Sequence, residues 1–302
     1  MTIAVFTKNL SNPAYAAARL GADRVAQQWG ARTTHYVPRK PDDAAEQIAL
    51  IDEALAARPD AMLLVAVHPT AINPSIRRIN AAGIPLVSYI NRFTNGESVA
   101  YVGSEDRPLA ERIAGYLCGN LAGRGDIVII EGPRDSITSD DRLRGFQDAL
   151  RRFPGVRVAA QLRGDYQRAP ARAAMALWLG GGRNVDGVLA ANDVMALGAI
   201  DALQELRRAC PVVGVNAIPE AIAAIRDGAM LATADFSAME MACIAMEAAL
   251  RHLRGERVPR EIILPVQIVD RTNCAAWDKP WEERVCRSWE EALAAGATRA
   301  AG

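Results

Sequence analysis

Asn192 and Asp193 follow directly on the apolar run Val188–Ala191 and open the helix-length segment Asp193–Leu206. A short apolar run without polar alternation reads as a strand buried on both faces of a parallel sheet. Both residues are good helix N-caps, so polar side chains arrive at a strand's carboxyl end beside a helix N-terminus. Open α/β sheets bind ligands there. The alternative is that Asn192 only caps its helix. The arrangement recurs along the chain. Lys8, Asn12 and Tyr15 follow the first apolar run, with Pro13 at the favoured first helical position. His68 follows the third run, and Asn91 and Arg92 follow the fourth. Arg142 precedes Gly145-Phe146, Tyr166 follows the seventh run, Asn216 the ninth, and Phe236 ends the tenth. Taken singly, each is more often a cap, turn or packing residue. Together they set amide, cationic and aromatic groups on strand ends, which is chemistry for gripping a small molecule.

Chemistry for transforming one is missing. Gly180-Gly181-Gly182-Arg183 lacks the Lys-Ser/Thr and the preceding strand of a phosphate-binding loop. No nucleophile elbow, HExxH or CxxC spacing occurs, and His35, His68 and His252 are scattered. The expectation is a non-enzymatic chain with no cofactor and no metal. Lys+Arg and Asp+Glu both number 35, which argues against nucleic-acid binding through bulk charge. No apolar stretch approaches a membrane span. The first strand-like run starts directly after Met1 and leaves no room for a signal peptide, so the chain reads as cytosolic or as a mature form whose leader is gone. Cys118, Cys210 and Cys243 lie in apolar segments and read as small buried hydrophobes. Cys274 and Cys286 flank a loop with Trp277, Pro280 and Trp281; a disulfide there suits an oxidising compartment, and two reduced thiols are the alternative.

The elements that would carry these residues alternate strictly. Strand-like runs lie at Ile3–Phe6, Thr34–Val37, Ala61–Val67, Pro85–Ile90, Ala100–Val102, Ile127–Ile130, Val156–Gln161, Val188–Ala191, Val212–Val215 and Leu231–Ala234, with helix-length segments between most of them. Such alternation predicts right-handed crossovers and parallel, doubly wound α/β sheets. Ten strands exceed one compact sheet, so two arrays of about five are expected. The boundaries fall at 1–104 plus 237–264 for one lobe and 105–236 for the other. A tail over 265–302, crossing the hinge side where Trp277 and Trp281 would brace it or else lying on the surface, holds a turn at Asp278–Pro280 and a short capped helix at Ser288–Ala295.

In this order and spacing the chain resembles the periplasmic substrate-binding proteins of the ribose-binding type, over about residues 2–265. The resemblance rests on Asn12-Pro13-Ala14-Tyr15, on Ala82-Gly83-Ile84-Pro85-Leu86-Val87 before Asn91-Arg92, and on Arg142-Leu143-Arg144-Gly145-Phe146. Asn192-Asp193-Val194-Met195-Ala196-Leu197-Gly198, Val213-Gly214-Val215-Asn216 and Leu231-Ala232-Thr233 add to it. It implies two Rossmann-like lobes joined by three hinge strands. They would close on a solute in the periplasm and hand it to the membrane permease of an ABC importer. The same core occurs in LacI-type repressors, whose helix-turn-helix is missing before the first strand.

The chain departs from the sugar-binding pattern where Asn91 and Asn216 replace acids and Lys8 replaces a small polar residue. Arg92 and Arg142 are kept, and Phe236 stands near a glutamine position, unless the alignment slips toward Asp235. Lys8, Arg92 and Arg142 then lack an evident acidic partner, and buried cations require one. Arginine forks hold carboxylates, helix amides after Asn12 would assist, and Tyr15, Tyr166 and Phe236 could sandwich a flat ligand. The expected solute is therefore a small carboxylate, aromatic or heterocyclic. The alternatives are a sugar or polyol, if Lys8 and Arg92 face solvent or pair with Glu105 or Asp106, or a LacI-core regulator. No sequence feature signals an obligate interface, so a monomer is expected.

Overall fold

Short apolar runs supply the strands, and side-chain caps start the helices between them. The computed structural model describes residues 1–134 and 136–297. Strands β1 (Thr2–Phe6), β2 (Arg32–Tyr36), β3 (Ala61–Leu64), β4 (Leu86–Tyr89) and β5 (Ala100–Gly103) come first, with helices α1 (Pro13–Gln28), α2 (Ala44–Ala57) and α3 (Asn73–Ala81) among them. Then follow α4 (Asp106–Asn120), β6 (Arg124–Glu131), α5 (Ile137–Leu150), β7 (Gly155–Arg163), α6 (Arg168–Gly180), β8 (Gly187–Ala190) and α7 (Asp193–Glu205). The chain continues through β9 (Val212–Val215), α8 (Pro219–Arg226), β10 (Ala232–Asp235), α9 (Ala238–Leu253), β11 (Glu261–Ile263), β12 (Gln267–Asp270) and α10 (Trp289–Ala297). Asn12, Asp43, Ser136 and Asn192 each accept a hydrogen bond from the first turn of the helix they open, satisfying amides that lack an intrahelical partner.

The strands form two sheets. The first runs β11-β5-β4-β3-β1-β2 and the second β12-β10-β9-β8-β6-β7. Pairing is parallel throughout except for β12 on β10. In each sheet the first strand of the array lies inside and the second outside, so the order reverses beside β1 and beside β6; ligands of doubly wound sheets collect at such switch points. Central strands β1, β3, β4, β8 and β9 are buried almost throughout, whereas β2 and β7 alternate or expose side chains as sheet edges do.

The chain divides into two units. Met1–Ser104, Ser237–Pro265 and the chain from Trp281 make the first; Glu105–Phe236 and Val266–Pro280 make the second. In the first unit α1 packs on α9, and α9 covers β3, β4 and β5; Phe6, Ile51, Met62, Leu64, Ile72, Ile76 and Ile79 fill the core on the other side. Each such buried side chain contributes roughly 1.5–3 kcal/mol. In the second unit α4 packs on α5 and α6 on α7. Gly145 makes the former contact possible, because a Cβ there would lie 2.2 Å from the Arg107 carbonyl oxygen.

The tail differs from the separate segment expected over 265–302. Val266–Pro280 belongs to the second unit, where β12 adds an antiparallel edge strand to β10, and the chain then returns to the first unit. An antiparallel edge needs no crossover helix, so the break in β–α alternation marked a change of pairing rather than the end of the sheets. β11 joins β5 and was missed because three residues carry no periodicity. Ser288 caps α10 in a reciprocal box: its hydroxyl accepts from Glu291 N–H at 3.2 Å, and the Glu291 carboxylate accepts from Ser288 N–H at 2.8 Å. Cys274 and Cys286 are both free thiols and are not paired with each other. Cys274 lies in the second unit, while Cys286 lies 2.7 Å from Cys243, both in the first.

Candidate functional site

At the carboxyl edge of the first sheet, the loop after β1 is tied down by its own side chains. Asn9 is buried, and its side-chain oxygen accepts from Asn12 N–H at 2.9 Å and from the Ser11 hydroxyl at 3.3 Å. Asn12, half-buried, caps α1 by accepting from Ala14 N–H at 3.0 Å. Tyr15 is buried on the first turn of α1, and one turn on, Arg19 donates to the buried Thr7 hydroxyl at 2.9 Å. Burial lowers the Arg19 pKa. Lys8 is buried as well, with its Nζ 3.6 Å from Asp42.

The turn after β4 is strained. Ile90 adopts φ 61°, which a β-branched side chain rarely tolerates, while Asn91 N–H donates back to the Tyr89 carbonyl at 2.7 Å. Two hydroxyls hold this three-residue turn: Ser88 donates to the Asn91 carbonyl at 3.0 Å and Tyr101 to the Ile90 carbonyl at 2.9 Å. Tyr101 reaches it because Gly103 has no side chain; a Cβ there would fall 2.0 Å from the Tyr101 hydroxyl. Asn91 is buried at the turn. Arg92 is not: it is half-exposed, stacks 3.6 Å over the Tyr101 ring and pairs with Glu261 of β11. His68 accepts from Thr70 N–H at 3.2 Å and Ala71 N–H at 3.1 Å through Nδ1, which makes it the cap of the turn before α3.

The second sheet brings its candidates closer together. Arg142 of α5 is buried, donates to the Ala191 carbonyl at 2.6 Å and to Asp106 at 2.8 Å, and lies 5.6 Å from the Phe236 ring. Ala191 is the residue before Asn192, so Arg142, Phe236 and Asn192 share one corner. Asn192 is 1% exposed; its oxygen accepts from Met195 N–H at 2.9 Å, while its amide nitrogen has no hydrogen-bond partner among the described residues. Asn216 follows β9 at φ 126° and donates its N–H to the Ala234 carbonyl at 2.9 Å. Its side-chain oxygen is buried and likewise has no hydrogen-bond partner among the described residues. Tyr166, at φ 58°, stands against Gly132 beyond the end of β6, where a Cβ would meet its ring at 2.5 Å.

Behind this corner lies a residue that the sequence presented only as a cap. Asp193 is fully buried; it accepts from the Thr233 hydroxyl at 2.6 Å and from Ile218 N–H at 3.0 Å. Burial raises its pKa to about 7 against the opposing pull of those hydrogen bonds. Gly214 admits it, since a Cβ there would lie 2.4 Å from the carboxylate. Asp193 therefore ties α7, the turn after β9 and β10 into one support. Asp235 accepts from the Trp277 indole at 2.7 Å, and the ring of the next residue, Phe236, lies beside Arg142.

These partners correct the premise of a carboxylate ligand. Lys8 has Asp42, Arg142 has Asp106 and Arg92 has Glu261, so all three cations are met within their own unit. Sequence distance concealed this: Asp42 precedes α2, Asp106 begins α4 and Glu261 begins the unforeseen β11. Of the acids near Arg92 in sequence, Asp106 pairs with Arg142 instead.

Residues 3–257 match the family model described as periplasmic binding protein domain. The chain belongs to that family. It is a solute-binding protein of the ribose-binding type, the class that serves ABC transporters. It is 29% identical over 273 residues to a ribose import binding protein of Escherichia coli, covering 89% of this chain and 90% of that one. A putative rhizopine-binding protein of Rhizobium meliloti is 30% identical over 244 residues, with 78% and 79% covered. Among solved structures, an ABC transporter solute-binding protein of Actinobacillus succinogenes with bound D-allose superposes with TM-score 0.87 at 25% identity, covering 91% of this chain and 99% of that one. One from Mycobacterium smegmatis with bound glycerol gives TM-score 0.86 at 27% identity, covering 95% and 99%. Both α/β units of this family member thus carry the architecture of sugar- and polyol-binding relatives.

Proposed function

We propose that this protein captures a neutral sugar or polyol in the periplasm and delivers it to the membrane permease of an ABC importer, performing no chemistry on it. The carboxyl-edge faces of the units are read as solute-binding surfaces, on a chain that acts as a monomer. The observation that carries the ligand class is the pair of buried amide atoms, Asn192 Nδ2 and Asn216 Oδ1, with no partner among the described residues. One is a donor and the other an acceptor, and a hydroxyl group serves either. Unmet buried polar atoms are costly, so a solute that meets them gains affinity. The cationic side chains already have carboxylate partners, so an anionic solute would have to compete with them. Phe236, Tyr15 and Tyr166 supply rings on which the C–H face of a sugar can stack. The ligands named for relatives, D-ribose with D-allose, and xylitol, are of this class.

Calorimetry against D-ribose, D-allose, xylitol and glycerol, with benzoate and a heterocyclic carboxylate beside them, tests the reading. Micromolar or tighter binding of at least one polyhydroxylated solute is expected, with no heat from the acids. Tight binding of an acid with silence toward every polyol would reinstate the carboxylate expectation.

A further inference from the structure

Cys243, buried on α9, and Cys286, between the turn at Trp281–Glu283 and α10, have their sulfur atoms 2.7 Å apart. Chance proximity of two flexible thiols does not explain this, because the chain is pinned on both sides. Arg24 of α1 donates to the carbonyls of Arg284 at 2.7 Å, Glu282 at 2.9 Å and Trp281 at 3.3 Å. Arg287, next to Cys286, pairs at 3.0 Å with Glu240, one helical turn before Cys243. On its other side Cys243 abuts Gly21 of α1: its sulfur is 3.6 Å from the Gly21 carbonyl oxygen, and a Cβ on Gly21 would come within 3.1 Å of that sulfur. The buried thiol is confined between α1 and Cys286. A disulfide needs a sulfur separation of about 2.05 Å, less than an ångström closer than the pair already stands.

We propose that Cys243 and Cys286 form a disulfide that fastens the C-terminal segment to α9. The Cys286 thiolate, on the more exposed partner, attacks the disulfide of an oxidant such as oxidised glutathione or a thiol–disulfide oxidoreductase. One thiol leaves, and a mixed disulfide forms. The Cys243 thiolate then attacks the Cys286 sulfur and expels the oxidant's second thiol. Two protein thiols give up two electrons and two protons, and the oxidant's disulfide takes them up as two thiols. The hydrogen bond with Cys286 and burial both push the Cys243 thiol pKa up, consistent with Cys286 attacking first. The crosslink spans 43 positions, and the loop it closes includes Val266–Pro280 of the second unit. It would anchor the chain where it has returned to the first unit.

The full chain is incubated with oxidised glutathione or with dithiothreitol, denatured, alkylated and weighed. Five cysteines are present, so the reduced protein should take up five alkyl groups and the oxidised protein three. Peptide mapping should recover Cys243 joined to Cys286, and oxidation should raise Tm by about 5 °C, as expected for closing a loop of this length. Cys274→Ser should keep the crosslink and the shift, and Cys286→Ser should abolish both. Five alkyl groups after oxidation, a Cys274–Cys286 peptide, or glutathione adducts without a Cys243–Cys286 peptide would each overturn the proposal. The wild-type mass decides the matter even if a variant fails to fold.

Discussion

Asn192 and Asn216 are proposed to serve both the fold and the solute, and the two roles can be separated by substitution. Asn192 caps α7 with its oxygen, and its unpartnered amide nitrogen is the atom proposed to bind the solute. Asn192→Asp keeps an acceptor for Met195 N–H and removes the donor, so solute affinity should fall about tenfold with the helix start retained. Asn192→Ala should lose the cap too, costing roughly 1 kcal/mol of stability as well as affinity. Asn216 sits at φ 126°, a region glycine occupies freely. Asn216→Gly should therefore weaken solute binding by about tenfold while leaving the denaturation midpoint unchanged or slightly raised. Titration calorimetry paired with urea unfolding reads both properties. Unchanged affinity in both Asn192→Asp and Asn216→Gly would remove these amides from the site. Both asparagines were legible in the sequence because each directly follows a buried strand. Their unmet atoms were not, since burial depends on neighbours far along the chain.

Asp193 joins three elements, and its pH response is a property of that junction. Its folded-state pKa of about 7 lies above the ordinary value of 3.8, so the folded state holds a proton that the unfolded chain has released. The favourable contribution is fully present below about pH 4, declines as pH rises toward 7 and is gone above it. The slope is on the order of 1.4 kcal/mol per pH unit across that window. Asp193→Asn presents one oxygen to Ile218 N–H and an amide to the Thr233 oxygen without any charge. Urea midpoints between pH 5 and pH 8 should decline more steeply in the native protein than in this variant. Equal slopes would show that Asp193 stays ionised. A cap was the natural reading of Asp193 from sequence, because Thr233 and the Ile218 amide lie 40 and 25 positions away. The turn at Ile90 was hidden for the same reason, since Tyr101 and the bare Gly103 that hold it lie on the next strand.

For the molecule as a whole, a solute that binds only the folded state must stabilise it. Binding confined to the folded state adds about 2.7 kcal/mol at a concentration of one hundred times Kd. Scanning calorimetry with a saturating polyol should move the unfolding profile upward. An unmoved profile with every polyol tested would end the polyol reading. Carboxylates at equal concentration should leave the profile unmoved, given the ion pairs of Lys8, Arg92 and Arg142.

Local pattern determined the strand and helix succession, the doubly wound class, the capped loops after the strands and the family. Apolar runs and cap residues act over a few positions and need no distant partner to be read. Tertiary structure alone decided the ion pairs of Lys8, Arg92 and Arg142, the burial of Asp193, the edge role of β12 and the meeting of Cys243 with Cys286. Each depends on which remote segments pack together, and a charge or a thiol carries no mark in sequence of the partner that folding brings to it. The proposed ligand class rests on those partners, because cations already met by carboxylates within their own unit favour a neutral solute.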